Sequence, residues 1–159
     1  VVHEVFDSDQ LCLKEEHDIV YRAAPAKGAI IPASPSAPER SHFSRKIDPD
    51  PVLLFRYSAL TFNGHRIHYD HPFCINAEGY GGLVVHGPLL ATLMLDLLRR
   101  EMPEAQVSAF EFRAISPVFD THPFSVHGKA KTDGTIQLWI KRHDGVLAMD
   151  GTATLGPST

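Results

Sequence analysis

From Pro88 to Arg100 the chain carries Leu89, Leu90, Leu93, Leu95, Leu97 and Leu98, with Ala91 and Met94 between them. Proline at the first helical position and apolar residues on every turn predict a helix over this stretch. Only Thr92 and Asp96, one turn apart, break its apolar surface. A helix apolar nearly all round is wrapped by other structure instead of lying on a surface. The chain has 159 residues, enough for one sizeable core. The wrapping therefore has to come from its own strands.

Those strands are readable. Gln106–Phe119, Phe124–Thr132, Thr135–Arg142 and Val146–Leu155 are apolar or alternating runs, with turns at Asp133-Gly134 and Asp144-Gly145. Ahead of the long helix, Asp50 is a good N-cap with Pro51 behind it, and a short helix is expected over Val52–Leu60. One buried helix enclosed by a curling antiparallel sheet is an α+β chain of hot-dog architecture.

Val1–Phe6 and Leu11–Tyr21 read as a hairpin around Asp7-Ser-Asp-Gln10, and a similar hairpin closes the other end. Two readings fit: residues 1–22 are the last hairpin of a truncated sister domain, or they are an extra N-terminal hairpin. Composition favours neither. Ala23–Lys46 is dense in proline and small residues and predicts a flexible linker. Residues 47–159 form the expected complete domain.

Composition narrows the function classes. A net charge of −4 gives no reason to expect nucleic-acid binding, so an anionic ligand has to be met by a local basic cluster. Ten histidines are scattered without metal-ligand spacing, and no metal site is expected. Two cysteines far apart, Cys12 and Cys74, predict a reduced, cytoplasmic protein. No apolar run approaches the length of a membrane span.

The chemistry-bearing residues lie between the two helices. Asn63-Gly-His-Arg-Ile-His68 makes a turn and then places histidines within reach of it, and Val85-His86-Gly87-Pro88 opens the long helix. Asn-Gly favours a turn with positive φ. The amide of Gly87 stands at the positive end of the helix dipole, a donor for a carbonyl oxygen gaining negative charge. His68 is the natural acid/base because an imidazole titrates near neutral pH. Asn63 cannot exchange a proton but can orient water or the imidazole. Arg66 is a candidate for a substrate carboxylate or cofactor phosphate, with a structural pair to Asp70 as the alternative. Tyr57 and Tyr80 are candidates for the acyl pocket, or else core residues. His86 is a candidate for holding this loop, with His65 beside it.

These segments resemble the MaoC-like hot-dog enoyl-thioester hydratases and dehydratases, whose signature runs Asp-x-Asn-Pro-x-His ahead of a His-Gly-led helix. The family's histidine falls on His68 and its catalytic aspartate on Asn63, a departure from a two-residue acid/base pair. A narrower branch is more similar: the double hot-dog mesaconyl-CoA hydratases and mitochondrial 3-hydroxyacyl-thioester dehydratases. The shared runs are Leu54–Asp70, Glu78–Pro88 and Phe112-Arg-Ala114, with Glu16–Arg22 resembling the end of the first hot dog. On this resemblance the N-terminal hairpin belongs to a truncated sister domain.

The resemblance implies reversible hydration of an enoyl thioester by a hydro-lyase. Its substrate is a CoA ester such as mesaconyl-CoA, or an acyl-carrier-protein thioester, and no cofactor is needed. It also implies a homodimer or pairing with an N-terminal hot-dog fragment. The competing readings are an acyl-CoA thioesterase and a non-catalytic acyl-thioester-binding module.

Overall fold

The computed structural model describes residues 1–21 and 33–156. The chain divides into two compact units, Val1–Pro32 and Ala33–Thr159. In the first, β1 (Val2–Asp7) pairs antiparallel with β2 (Gln10–Glu16) through a turn in which Ser8 has φ 54°. The second strand ends at Glu16, short of the expected Tyr21. A bulge between Val5 and Phe6 shifts the register, and every residue of both strands is exposed.

The second unit holds β3 (Phe43–Ile47), α1 (Pro51–Leu60), α2 (His71–Phe73), α3 (Gly87–Glu101), β4 (Val107–Ala114), β5 (Phe124–Ala130), β6 (Thr135–Lys141) and β7 (Leu147–Leu155). Its five strands form one antiparallel sheet in the order β3-β5-β6-β7-β4. The hairpin turns fall where the sequence places them, with Gly134 and Gly145 at φ 82° and 84°, a region that a Cβ disfavours. Asp50 caps α1 by accepting from the Leu53 amide at 2.8 Å, ahead of Pro51.

The second unit starts at Ala33, ahead of residue 47. Residues 23–32 of the expected linker lie outside the described residues. The rest of it is structured and belongs to the sheet unit. Ser36 bridges Val146, the Ala37 amide donates to Gly145 O, and the His42 amide donates to Gly128 O. β3 follows and pairs with β5, with Phe43 opposite Gly128. A Cβ on Gly128 would lie 2.0 Å from the Phe43 ring, so the glycine is what lets that ring lie across the neighbouring strand. Small residues and prolines masked a five-residue strand whose partner residues lie 77 to 85 positions away.

Leu89, Leu90, Ala91, Met94, Leu97 and Leu98 of α3 are buried, in one core with Val126, Ile136, Leu138, Ile140 and Met149 of the sheet. The wrapping is incomplete. Pro88 and Thr92 are exposed, and Leu93, Leu95 and Asp96 are half-buried, so one side of the helix remains open among the described residues. On the open side Arg45 of β3 pairs with Asp96 at 2.9 Å. β4 is a sheet edge, with Val107 and Phe112 exposed. Among the described residues no helix is long and apolar enough to cross a membrane.

Candidate active site

The site is made by the chain between α1 and α3. After α1 the backbone reverses sharply: the Asn63 amide returns to Ser58 O at 2.9 Å. Positive φ was expected from the Asn63-Gly64 pair, yet it falls one residue earlier, on Phe62 at 55°. Such a conformation is uncommon outside glycine and asparagine, and it is held here by the bonds on either side. Asn63 Oδ1 accepts from the His65 amide at 3.0 Å and so shapes the turn. The stretch from Arg66 to Glu78 then consists of short helical turns, with Asp70 accepting from the Phe73 amide at 3.0 Å.

His68 comes out of this turn buried. Its Nδ1 lies 2.7 Å from Val84 O. A carbonyl only accepts, so Nδ1 carries the proton and Nε2 of the neutral ring keeps its lone pair. Val84 closes the clamp by donating its own amide to Ile67 O at 2.9 Å. The segment holding Val84 is fixed in turn from the far side. The Val85 amide donates to Val118 O, and Asp120 Oδ1 accepts the Leu83 amide at 2.8 Å. At Gly82 a Cβ would sit 2.5 Å from that carboxylate oxygen, so the close approach requires glycine.

His86 is the N-cap residue of α3 and is fully buried. Its ring stacks on His68 with centroids 3.7 Å apart and planes 16° apart, and the Tyr57 ring meets it edge-on at 4.9 Å. His86 Nε2 is hydrogen-bonded to Ser58 Oγ at 2.8 Å. Burial, and secondarily the nearby His68, push the His86 pKa down to about 4. Burial also lowers that of His68. The bond to Val84 O opposes this, and His65 adds a smaller lowering. Both rings are therefore neutral near pH 7, and the lone pair of His68 Nε2 is available.

Gly87 is the first residue of α3, and its amide has no intrahelical acceptor. Pro88 falls second in the helix instead of first. A Cβ on Gly87 would find only the Met149 methyl, at 4.0 Å, so the space beside this amide is open. It faces a cleft of about 270 Å³ lined by Val84, Val85, Gly87, Leu90, Ser116 and Met149 among others. The lining is apolar apart from Ser116, whose hydroxyl is used by Leu147 O. His68 is not part of this lining and joins it only through its bond to the Val84 carbonyl. A neutral imidazole can move a proton, and a helix-end amide can stabilise an oxyanion.

Of the expected site residues, the structure brings together His68, His86 and Tyr57, with Gly87 next in the chain to His86, while the Asn63 side chain is bonded to the His65 amide in the turn. Arg66 is engaged elsewhere: Asp70 holds it at 2.7 Å and its guanidinium lies 4.2 Å over the Phe73 ring. This is the structural pair that the sequence left as the alternative. Tyr80 lies near Phe119, with ring centroids 5.9 Å apart. Two participants have no place among the sequence candidates, Ser58 and the Val84 carbonyl. The only signal for Ser58 is a small hydroxyl one turn from Leu54 in a mostly apolar run, and a backbone carbonyl carries no signal at all.

The sheet and its helix superpose on a solved MaoC-like dehydratase from Phytophthora capsici with TM-score 0.66, at 19% identity, over 84% of this chain and 48% of that one. The fold is thus that of the MaoC-like hot-dog proteins. Residues 1–120 match the model of hydroxyacyl-thioester dehydratase type 2, and the chain belongs to that family. It is 43% identical to a mesaconyl-C(4)-CoA hydratase of Chloroflexus aurantiacus, over 98% of this chain and 55% of the relative. It is 34% identical to the mitochondrial hydroxyacyl-thioester dehydratase type 2 of Schizosaccharomyces pombe, over 87% of this chain and 45% of the relative. The chain spans about half the length of the curated relatives it matches.

Proposed function

We propose that the protein containing this chain reversibly hydrates an enoyl thioester, with His68 as the acid/base. The observation that carries this reading is the bond from His68 Nδ1 to Val84 O, which leaves Nε2 as the basic atom of a buried, neutral imidazole. In the hydration direction Nε2 takes a proton from water. The water oxygen then bonds to C3 of the enoyl group while the C2=C3 π bond opens. Negative charge passes to the thioester oxygen, which accepts from the Gly87 amide at the positive end of α3. His68 returns its proton to C2. One titrating group is sufficient when both additions occur on one face, and Asn63 orients the water or the turn. The thioester itself acidifies the C2 proton, so the chemistry needs neither metal nor redox cofactor. The substrate class is a CoA thioester, with mesaconyl-CoA as the first candidate because of the Chloroflexus relative. Free thiols at Cys12 and Cys74 suit a reducing cytoplasm.

The test is the loss of enoyl-thioester absorbance from crotonyl-CoA and mesaconyl-CoA with the full-length natural polypeptide. Hydration leaves free thiol constant. Thiol release would identify a thioesterase, and binding without turnover a carrier module.

The pH profile follows from the site. Burial disfavours the imidazolium, so the midpoint of His68 lies below the ordinary 6.5 and the base form persists to lower pH. Turnover should be flat through neutrality and fall only on the acid side of that lowered midpoint. Asn63→Ala should slow the reaction without moving this limb. A limb that moves with Asn63→Ala would show that His68 is not the titrating group.

The site and the apolar flank of α1 are proposed to be completed by a second hot-dog domain. Val52, Phe55 and Leu60 are exposed on α1, and Phe62 is 99% exposed beside the site. Large apolar side chains left exposed along one segment mark an interaction surface. Sedimentation of the 17.6 kDa chain at micromolar concentration should report at least twice that mass, or a bound N-terminal fragment. A monodisperse, fully active monomer would contradict the pairing.

A further inference from the structure

His68 lacks the partner that usually orients a catalytic imidazole. Among the described residues, no carboxylate is hydrogen-bonded to its ring. Three groups surround it: the Val84 carbonyl, the His65 ring set perpendicular at 5.6 Å, and the His86 ring stacked at 3.7 Å. Only the first is a hydrogen bond, and a single bond at Nδ1 does not by itself fix the tilt of the ring. The His86 face sets the remaining freedom.

His86 is itself held at one polar point. Nε2 meets Ser58 Oγ at 2.8 Å, while the buried Nδ1 has no partner among the described residues. The only other ring against it is the Tyr57 edge, an apolar contact. The χ2 torsion of an imidazole is broad, so its own rotamer wells leave the tilt of the ring plane loosely set. The bond to the buried Ser58 hydroxyl fixes that tilt. Ser58 sits one helical turn after Leu54 on the same inward face of α1.

We propose that Ser58 is a positioning residue which, acting through His86, fixes the plane on which His68 stacks and so the direction of His68 Nε2. The proposal rests on the reading of His68 as the acid/base. When His68 takes up a proton, its imidazolium stacks on a ring that burial and the neighbouring charge keep neutral. Ser58 touches no reacting atom. Its loss should appear in kcat, not in KM, because it alters the aim of the base and not the cleft that binds the thioester.

The experiment combines Ser58→Ala, Ser58→Thr, His86→Phe and the Ser58→Ala/His86→Phe double variant. It reads kcat and KM with crotonyl-CoA, and the titration of His68 by NMR. Ser58→Ala should lower kcat by about 10-fold to 10²-fold with KM unchanged, the scale of a misaimed catalytic group. It should also move the His68 midpoint. Ser58→Thr, which keeps the hydroxyl, should restore both. Adding Ser58→Ala to His86→Phe should change nothing further, because the route through His86 is already cut. If Ser58→Ala does not fold, Ser58→Cys keeps the volume with a weaker hydrogen bond and takes its place. Unchanged kcat and His68 titration in the folded variant would overturn the proposal, as would additive losses in the double variant. A wild-type protein that leaves crotonyl-CoA and mesaconyl-CoA unhydrated while the His68 midpoint still responds to Ser58 would sink the hydratase reading and leave the positioning intact.

Discussion

His68→Ala should lower turnover by about 10²–10⁴-fold, the usual contribution of a positioned general acid/base. That is about 3–5 kcal/mol of barrier at 1.36 kcal/mol per decade. The substitution also removes the donor to Val84 O and opens space beside His86, so a modest loss of stability should accompany it. His68→Gln separates the two effects. A glutamine amide can donate to the Val84 carbonyl but cannot exchange a proton near neutral pH. It should recover part of the stability and none of the turnover. Circular dichroism establishes folding, and enoyl-thioester absorbance gives kcat. Near-wild-type turnover in either variant would remove His68 from the chemistry.

Stability should fall with acid because of His86, and the sign can be worked out. Its folded pKa is about 4 and its ordinary value 6.5, so the unfolded chain takes up the proton first. Its contribution is fully present above pH 6.5, is lost progressively on the way down, and changes no further below about 4. The gap of about 2.5 pH units corresponds to about 3 kcal/mol. His68 and His127, both lowered by burial, add to the loss with the same sign. The lowered carboxylates, Asp70 and Asp96 among them, act only in more acidic solution, where the unfolded groups near 3.8 begin to protonate. The informative quantity is therefore the difference between wild type and His86→Phe. Urea unfolding at several pH values between about 7.5 and 4 should show a steep loss for the wild type and a shallower one for the variant. Parallel slopes would mean that His86 is not held neutral in the folded state.

Which parts of this protein were legible in the sequence follows from how far apart the interacting residues lie. The Asp50-Pro51 start of α1, the α3 helix, the strands β5 to β7 and their glycine turns all came from neighbours a few positions apart, where periodicity and cap chemistry act. The hairpin between β1 and β2 was legible for the same reason, although its second strand proved shorter. β3 was not. Its local composition argues for a linker, and only the pairing of Phe43 with Gly128, 85 positions on, makes it a strand. In the loop, the tendency of Asn63-Gly64 to adopt positive φ lost to the closure of Asn63 onto Ser58, which moved the strain to Phe62.

The site divides in the same way. His68 and Gly87 are candidates from residue type and order, because imidazole chemistry and the start of a helix are local properties. The features that would make His68 a base at Nε2 are not local. The proton on Nδ1 is assigned by a carbonyl 16 positions away, and the ring is stacked on His86, whose own tether comes from Ser58, 28 positions back. Arg66 shows the converse: a cation that the sequence left open to a ligand was taken up by Asp70 and Phe73 nearby. Burial sets the proton affinities of both histidines, and burial exists only once the loop has closed over α3. By itself the sequence determined most of the elements, β3 excepted, and the kind of chemistry available. The tertiary structure decided which nitrogen is free, which rings touch and which groups stay neutral, because those depend on distances between parts of the chain that no local pattern encodes.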